Sequence, residues 1–274
     1  MENISDEEFE RFSRLIHDRF GINLTEQKRG LLVARLQKIL RKNNFSTFTE
    51  FFERMEMDAS GVLINDLVNR ISTNHTFFYR EKEHFEYFRN VALDVIADEL
   101  GAKKSKDIRV WSAGCSSGEE PYMLVMMMME KFGAEYPRWN AGVLGTDISK
   151  TALEDALRAV YPEEKMSYLP LSLRQKYMRK INKEEWEVNP EVRKEVVFRR
   201  LNLMGAEFPF KKPFHAIFCR NVLIYFDVET KFALIEKFKR YLVDGGFLFI
   251  GHSESLGAAK KDFEFVRPAL YRKR

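Results

Sequence analysis

The residues of this chain with the clearest chemical potential lie in one short turn. After the β-rich run IRVWSAG the sequence reads Gly114, Cys115, Ser116, Ser117, Gly118, Glu119, Glu120, Pro121, a glycine turn between a strand and a helix. In a doubly wound sheet such a turn sits at the carboxyl end of its strand, where glycines let a nucleotide-like ligand approach the backbone. Pro121 suits a first helical turn. No Lys-Ser/Thr follows the second glycine, so this is not a Walker loop, and the spacing is not the dinucleotide GxGxxG. Two acids at the helix N-terminus oppose a pyrophosphate, whose charge the helix dipole normally holds. A ligand carrying positive charge and hydroxyls suits them better, and S-adenosylmethionine has a sulfonium, an ammonium and a ribose diol. Glu119 and Glu120 also have a plainer reading, as complements of the helix dipole.

Other strand ends extend the pattern. The second β-run ends LGTDIS, placing Asp147 where a carboxylate accepts both hydroxyls of a ribose, although a strand-ending acid also commonly caps a helix. After the third run comes Asn202-Leu203, suited to an adenine edge and face. After the fourth comes Arg220-Asn221-Val222-Leu223-Ile224-Tyr225-Phe226, in which the asparagine is as readily a turn former as a ligand. Other eye-catching residues read blandly. Met126 to Met129 are expected as core filler, and Cys115 as a small residue with no base beside it. His17, His75, His84, His215 and His252 show no metal-ligand spacing, so no metal is expected. His252-Ser253-Glu254 is a triad in letters only, because neighbours at a strand end point in different directions.

The elements that must hold these residues follow from periodicity. Ser5 and Glu8 form a capping box ahead of Phe9, Phe12, Ile16 and Phe20. Thr25 is placed to cap a helix carrying Leu32, Leu36, Ile39 and Leu40; Thr47 and Glu50 form a second capping box; Val62 to Ile71 is a fourth helix. This predicts a helical domain over 1–72 and a linker helix region over 73–106. From 107 to 274 short β-runs alternate with helices, namely IRVWSAG, AGVLGTD, EVVFRRLNL, HAIFCRN and GGFLFIGHS, which means a mostly parallel sheet covered on both faces. The charged stretch at about 165–196 predicts a helix plus a small hairpin inserted in that domain, and FEFVRPALYRKR a single antiparallel edge strand.

Composition narrows the classes. The chain has 274 residues, 45 Lys and Arg against 41 Asp and Glu, and 45% hydrophobic residues, an ordinary globular balance that argues against a dedicated DNA-binding protein. The longest apolar run, Met123 to Met129, is bounded by charges, so no membrane insertion is expected. An acidic N-terminal stretch and two cysteines point to a cytoplasmic protein, and a monomer is expected.

The stretches RISTNHTFFYRE, VWSAGCSSGEEPYMLV, GTDIS, RLNL, FHAIFCRNVLIYFD and GGFLFIGHSESL resemble the chemotaxis receptor glutamate methyltransferases, the CheR family, across nearly the whole chain. The resemblance implies a class I S-adenosylmethionine-dependent methyltransferase sheet of Rossmann-like α/β type, preceded by a small all-helical domain and carrying an inserted β-subdomain. It implies cofactor contacts at Asn74, Thr76, Arg80, Glu120, Asp147, Asn202, Leu203, Asn221 and Val222 beside the Gly114 turn, with Arg80 and Tyr225 near the transferred methyl. Phe77, Phe78 and Tyr79 are expected to pack beneath the sheet. Relatives that bind a receptor pentapeptide tether carry a glycine-containing loop in the β-subdomain, whereas here that loop reads RKINKEEWEVNPE.

Methyl transfer to a glutamate needs no general base, since an unperturbed carboxyl with a pKa of about 4.3 is already ionised at neutral pH. The work is alignment and desolvation. On the second helix Lys28, Arg35, Lys38 and Lys42 share one sector, and no acid occurs from Lys28 to Thr49. That basic stripe suits the acidic coiled coil of a chemoreceptor. It also suits nucleic-acid phosphates, so a nucleic-acid methyltransferase is one alternative, against which RNVLIYF stands where base-methylating enzymes carry an Asn/Asp-Pro-Pro-aromatic motif. A non-catalytic cofactor sensor is the other.

Overall fold

The computed structural model describes residues 4–72 and 75–274, and of residues 258–260 only the backbone. Four helices open the chain: α1 (Asp6–Phe20), α2 (Arg29–Asn43), α3 (Phe48–Met57) and α4 (Val62–Ile71). Ser5 accepts from the Glu8 N–H while the Glu8 carboxylate accepts from the Ser5 N–H, so the first capping box forms in full. The second forms by half: Thr47 accepts from the Glu50 N–H, but the Glu50 carboxylate reaches one residue further, to the Ser46 N–H at 2.7 Å. Thr25 caps nothing with its side chain. It precedes a 3-10 turn, Glu26–Lys28, and α2 starts only at Arg29. The apolar faces of these helices meet in one core containing Phe12, Ile16, Leu36, Ile39, Phe51 and Leu67.

The remainder is built on one sheet of seven strands: β1 (Asp107–Ala113), β2 (Asn140–Asp147), β6 (Val196–Arg200), β7 (Phe214–Cys219), β8 (Leu242–Ile250), β9 (Phe263–Arg267) and β10 (Leu270–Lys273), in the order β6-β2-β1-β7-β8-β10-β9. The first five in that order run parallel, and β10 pairs antiparallel with β8 on one side and β9 on the other. The closing segment is therefore a hairpin rather than one strand, because Ala269, at a φ of 61°, turns the chain after Pro268. Period-two alternation feeds both faces. Val110, Phe218 and Phe249 enter one core, and Trp111, Ile217 and Leu248 the other.

Helices cover each face. Within the expected linker helix region, residues 75–106 join the sheet's own core through α5 (Lys82–Tyr87), a π-helical turn (Phe88–Ala92) and α6 (Leu93–Ala102), which bury Phe85, Phe88, Leu93 and Ile96. They pack there with α7 (Glu119–Phe132), whose Met123, Met126, Met127 and Met128 are buried while Met129 sits at the core's edge. Helix α11 (Val228–Tyr241) covers the opposite face with Leu234, Ile235 and Phe238. After α8 (Lys150–Arg158) the inserted lobe holds β3 (Val160–Pro162), α9 (Leu171–Tyr177), β4 (Met178–Lys180), β5 (Glu185–Val188) and α10 (Pro190–Arg193). The expected hairpin is β4–β5, but the lobe begins earlier than 165, because β3 adds a third strand by pairing Tyr161 with Trp186.

Among the described residues, no helix is long and apolar enough to cross a membrane.

Candidate functional site

Strand β1 lies between β2 and β7, so chain connections leave it in opposite directions and a crevice opens at its carboxyl end. The register brings the sequence-predicted turns to that one edge. Ala113 pairs with Thr146, Asp147 with Arg200, and Cys219 with Ile250, so the residues that follow each strand converge. They line one cleft that opens to solvent. Its lining holds Thr76, Arg80, Gly114, Glu120, Asp147, Asn202, Leu203, Asn221, Val222 and Tyr225. Asn74 lies outside the described residues. The helical domain closes one side with Phe20, Ile22 and Ser72.

Asp147 is nearly buried, and each carboxylate oxygen takes one backbone N–H at 2.8 Å, from Ser116 and from Ser149. The Ile148 N–H also reaches this carboxylate, whose remaining lone-pair capacity is what a hydroxyl can use. Burial raises the Asp147 pKa despite those donors. The two acids of the glycine turn part company. Glu119 is fully buried, accepts from Ser117 Oγ at 2.7 Å and pairs with Lys165 of the inserted lobe, so it takes no part in the cleft. Glu120 faces the cleft, held by Ser112 Oγ at 2.7 Å and by Arg220 Nη1 at 2.7 Å. Cys115 is buried and its thiol pKa is pushed up by desolvation, which suits an inert filler.

The Asn202 amide bridges outward, donating to the Arg19 carbonyl at 2.7 Å and accepting from the Met204 N–H at 3.0 Å, while Leu203 contributes apolar lining. Arg80 donates to the His75 carbonyl at 2.9 Å and lies over Phe77. Of the three aromatics expected beneath the sheet, Phe78 is fully buried; Phe77 lines the cleft and packs on Tyr168, and Tyr79 is half-buried against Phe85. Tyr225 is held by its own backbone, whose carbonyl accepts from the Asn23 N–H of the helical domain at 2.8 Å.

Some groups escaped the sequence reading. Arg220 bridges Glu120, Glu81 and the Arg80 carbonyl. Glu254 caps the Gly251, Asn221 and Ile224 N–H groups, so the HSE letters form no triad. Glu81, His84 and His252 come together in the fold, with ligand atoms within 4.8 Å of one another. The Glu81 oxygens are already engaged by Arg220, by Asn221 Nδ2 and by the His252 N–H. The basic stripe is also not one surface. Lys38 is exposed and Lys42 pairs with Asp66 at 2.8 Å, but Arg35 turns inward to the Ile71 carbonyl and Lys28 donates to the Asn23 carbonyl, because 3-10 geometry rotates it off the helix sector.

The residues fit S-adenosylmethionine. A buried acid offers lone pairs to a diol, a fixed carboxylate faces the cleft to receive a cation, and the Gly114 turn leaves no room for a side chain where the backbone meets Val222. The seven-stranded sheet, its cleft at the switch point and a match to a SAM-binding domain over residues 74–271 together make this a class I S-adenosylmethionine-dependent methyltransferase. Two family models match the chain, "CheR methyltransferase, all-alpha domain" over residues 7–72 and "CheR methyltransferase, SAM binding domain" over residues 74–271. The chain belongs to the CheR methyltransferase family. It is 40% identical over 271 residues to a chemotaxis protein methyltransferase of Borreliella burgdorferi, covering 99% of this chain and 95% of that one. It is 34% identical to a chemotaxis protein methyltransferase of Escherichia coli, covering 98% and 91%. A solved structure of PKMT2 from Rickettsia typhi in complex with AdoHcy aligns with 53% of this chain and 21% of that chain at 18% identity and a TM-score of 0.32, too distant to bear on function.

Proposed function

We propose that this methyltransferase modifies glutamate side chains of chemoreceptors, forming glutamyl methyl esters in chemotactic adaptation. The observation that carries the reading is the composition of the cleft: a cation, Arg80, and a phenol, Tyr225, share one lining with the cofactor-facing acids Glu120 and Asp147. When bound, S-adenosylmethionine supplies a methyl group made electrophilic by its sulfonium. Asp147 would hold the ribose hydroxyls and Glu120 the cationic amino-acid end, with Thr76, Asn202, Leu203, Asn221 and Val222 shaping the remainder. Arg80 orients an acceptor carboxylate through a charge-assisted hydrogen bond, and Tyr225 donates a second. Neither needs to remove a proton, because a glutamate with a pKa of about 4.3 arrives ionised. Phe20, Ile22 and Phe77 strip water from the acceptor as it enters.

The partner side is supported by Lys38 and Lys42 on α2, which complement an acidic coiled coil. Incubation with radiolabelled S-adenosylmethionine and a chemoreceptor cytoplasmic fragment, followed by mild base, tests the reading. Volatile labelled methanol is the expected product. Label that stays non-volatile, or that enters nucleic acid instead, overturns it.

A further inference from the structure

We infer that Arg220 is a positioning residue that sets Glu120 and Arg80 with a single guanidinium. The inference rests on the proposed roles of those two residues. The Arg220 side chain is 3% exposed and sits over the Phe85 ring, with 5.1 Å from its central carbon to the ring centroid. Nη1 donates to Glu120 Oε2 at 2.7 Å. Nη2 donates to the Arg80 carbonyl and, at 3.1 Å, to Glu81 Oε2. One planar group thereby ties α7, which carries Glu120, to the end of the segment that carries Thr76 and Arg80.

The backbone around this fork is what it must restrain. Tyr79, Glu81 and Asn221 are non-glycine residues at φ values of 60°, 53° and 59°. Left-handed backbone is unfavourable for L-residues, least so for asparagine, and clusters of this kind persist only where surrounding contacts over-determine them. Glu81 supplies those contacts. Its Oε1 accepts from Asn221 Nδ2 and the His252 N–H, both at 3.3 Å, while Oε2 faces Arg220. Burial pushes the Glu81 pKa up, but Arg220 and these donors more than offset it, so the carboxylate is held ionised. Lysine does not reproduce the fork, because its three donors radiate from one nitrogen, whereas the guanidinium presents separated N–H groups fixed in a plane.

The partners of Arg220 divide between binding and turnover, and that division is the test. Cofactor affinity by calorimetry, the thermal midpoint and kcat at saturating cofactor are measured for the wild type, R220K and E81Q. R220K is expected to lose about tenfold in affinity and at least about tenfold in kcat, since misplacement near 1 Å costs up to about a hundredfold. E81Q keeps the Glu120 contact, so its affinity stays within about twofold while kcat falls about fivefold or more. An E81Q protein that loses affinity and kcat together, or an R220K protein with wild-type affinity, overturns the inference. Should R220K not fold, E81Q decides alone. If the wild-type protein binds cofactor yet methylates no receptor, the acceptor reading fails, and the affinity of R220K still decides for or against Arg220.

Discussion

Gly114 and Val222 meet so closely at the cleft that a Cβ added at position 114 would lie 2.4 Å from Val222 Cγ2. Gly114 also sits at a φ of +79°, where an L-residue is strained. The glycine turn after β1 and the loop after β7 therefore depend on each other, though far apart in the sequence.

Gly114→Ala is expected to weaken cofactor binding sharply and to lower stability by at least about 1–2 kcal/mol, the cost of a left-handed L-residue. Adding Val222→Ala relieves the contact but not the backbone strain. Calorimetry should find the double variant intermediate in affinity; equal loss in both would show that the contact with Val222 does not matter.

Asp147→Asn keeps the shape but replaces one acceptor oxygen with an NH2 group, which then faces a backbone N–H. With a buried donor left unpaired, cofactor affinity should fall by about ten- to a hundredfold, equivalent to about 1–3 kcal/mol. Because burial raises the Asp147 pKa, wild-type affinity should also begin to fall on acidification at a higher pH than an ordinary aspartate would give. Unchanged affinity in the variant would remove Asp147 from the ribose site.

What the sequence made legible was whatever is local. Each strand that feeds the cleft is an apolar run ended by Gly, Asp or Asn, so the strand ends and the turn residues after them could be read directly. Partners set by tertiary contact could not. Glu119 and Glu120 are adjacent, and Lys165, 46 residues away, together with Ser117 holds Glu119 out of the cleft. Glu81 and Arg220 are 139 residues apart and look like ordinary surface charges in the sequence. Arg35 has helical spacing with Lys38 and Lys42, yet the seat of α4 turns it toward the Ile71 carbonyl.

Lys38→Glu with Lys42→Glu should raise KM for a receptor fragment while leaving kcat at saturation unchanged, since both residues lie outside the cleft lining. The Lys42–Asp66 pair is largely exposed on its lysine side, so its loss should change stability by less than about 1 kcal/mol. Added salt screens such docking, so the gap between variant and wild type should narrow at high ionic strength. A salt-independent gap would argue against electrostatic docking by α2.

The helical domain is fastened over the cleft by His17, whose Nε2 lies 2.6 Å from Asp227 Oδ2 at the N-cap of α11. The hydrogen bond to Asp227 raises the His17 pKa, more than offsetting desolvation. Asp227 is lowered, first by the Thr230 N–H and also by His17. For a histidine raised in the folded state, the stabilisation is complete below the unfolded value of about 6.5 and is lost as pH climbs through the folded value. For the lowered aspartate it is complete above the unfolded value of about 3.9 and is lost as pH falls through the folded one. The contact is thus strongest in mildly acidic solution and weakens into the alkaline range. Thermal midpoints of the wild type should decline on that alkaline side more than those of His17→Gln, which retains a donor but cannot titrate. Parallel pH profiles for the two proteins would mean that the charge on His17 contributes nothing to holding the domains together.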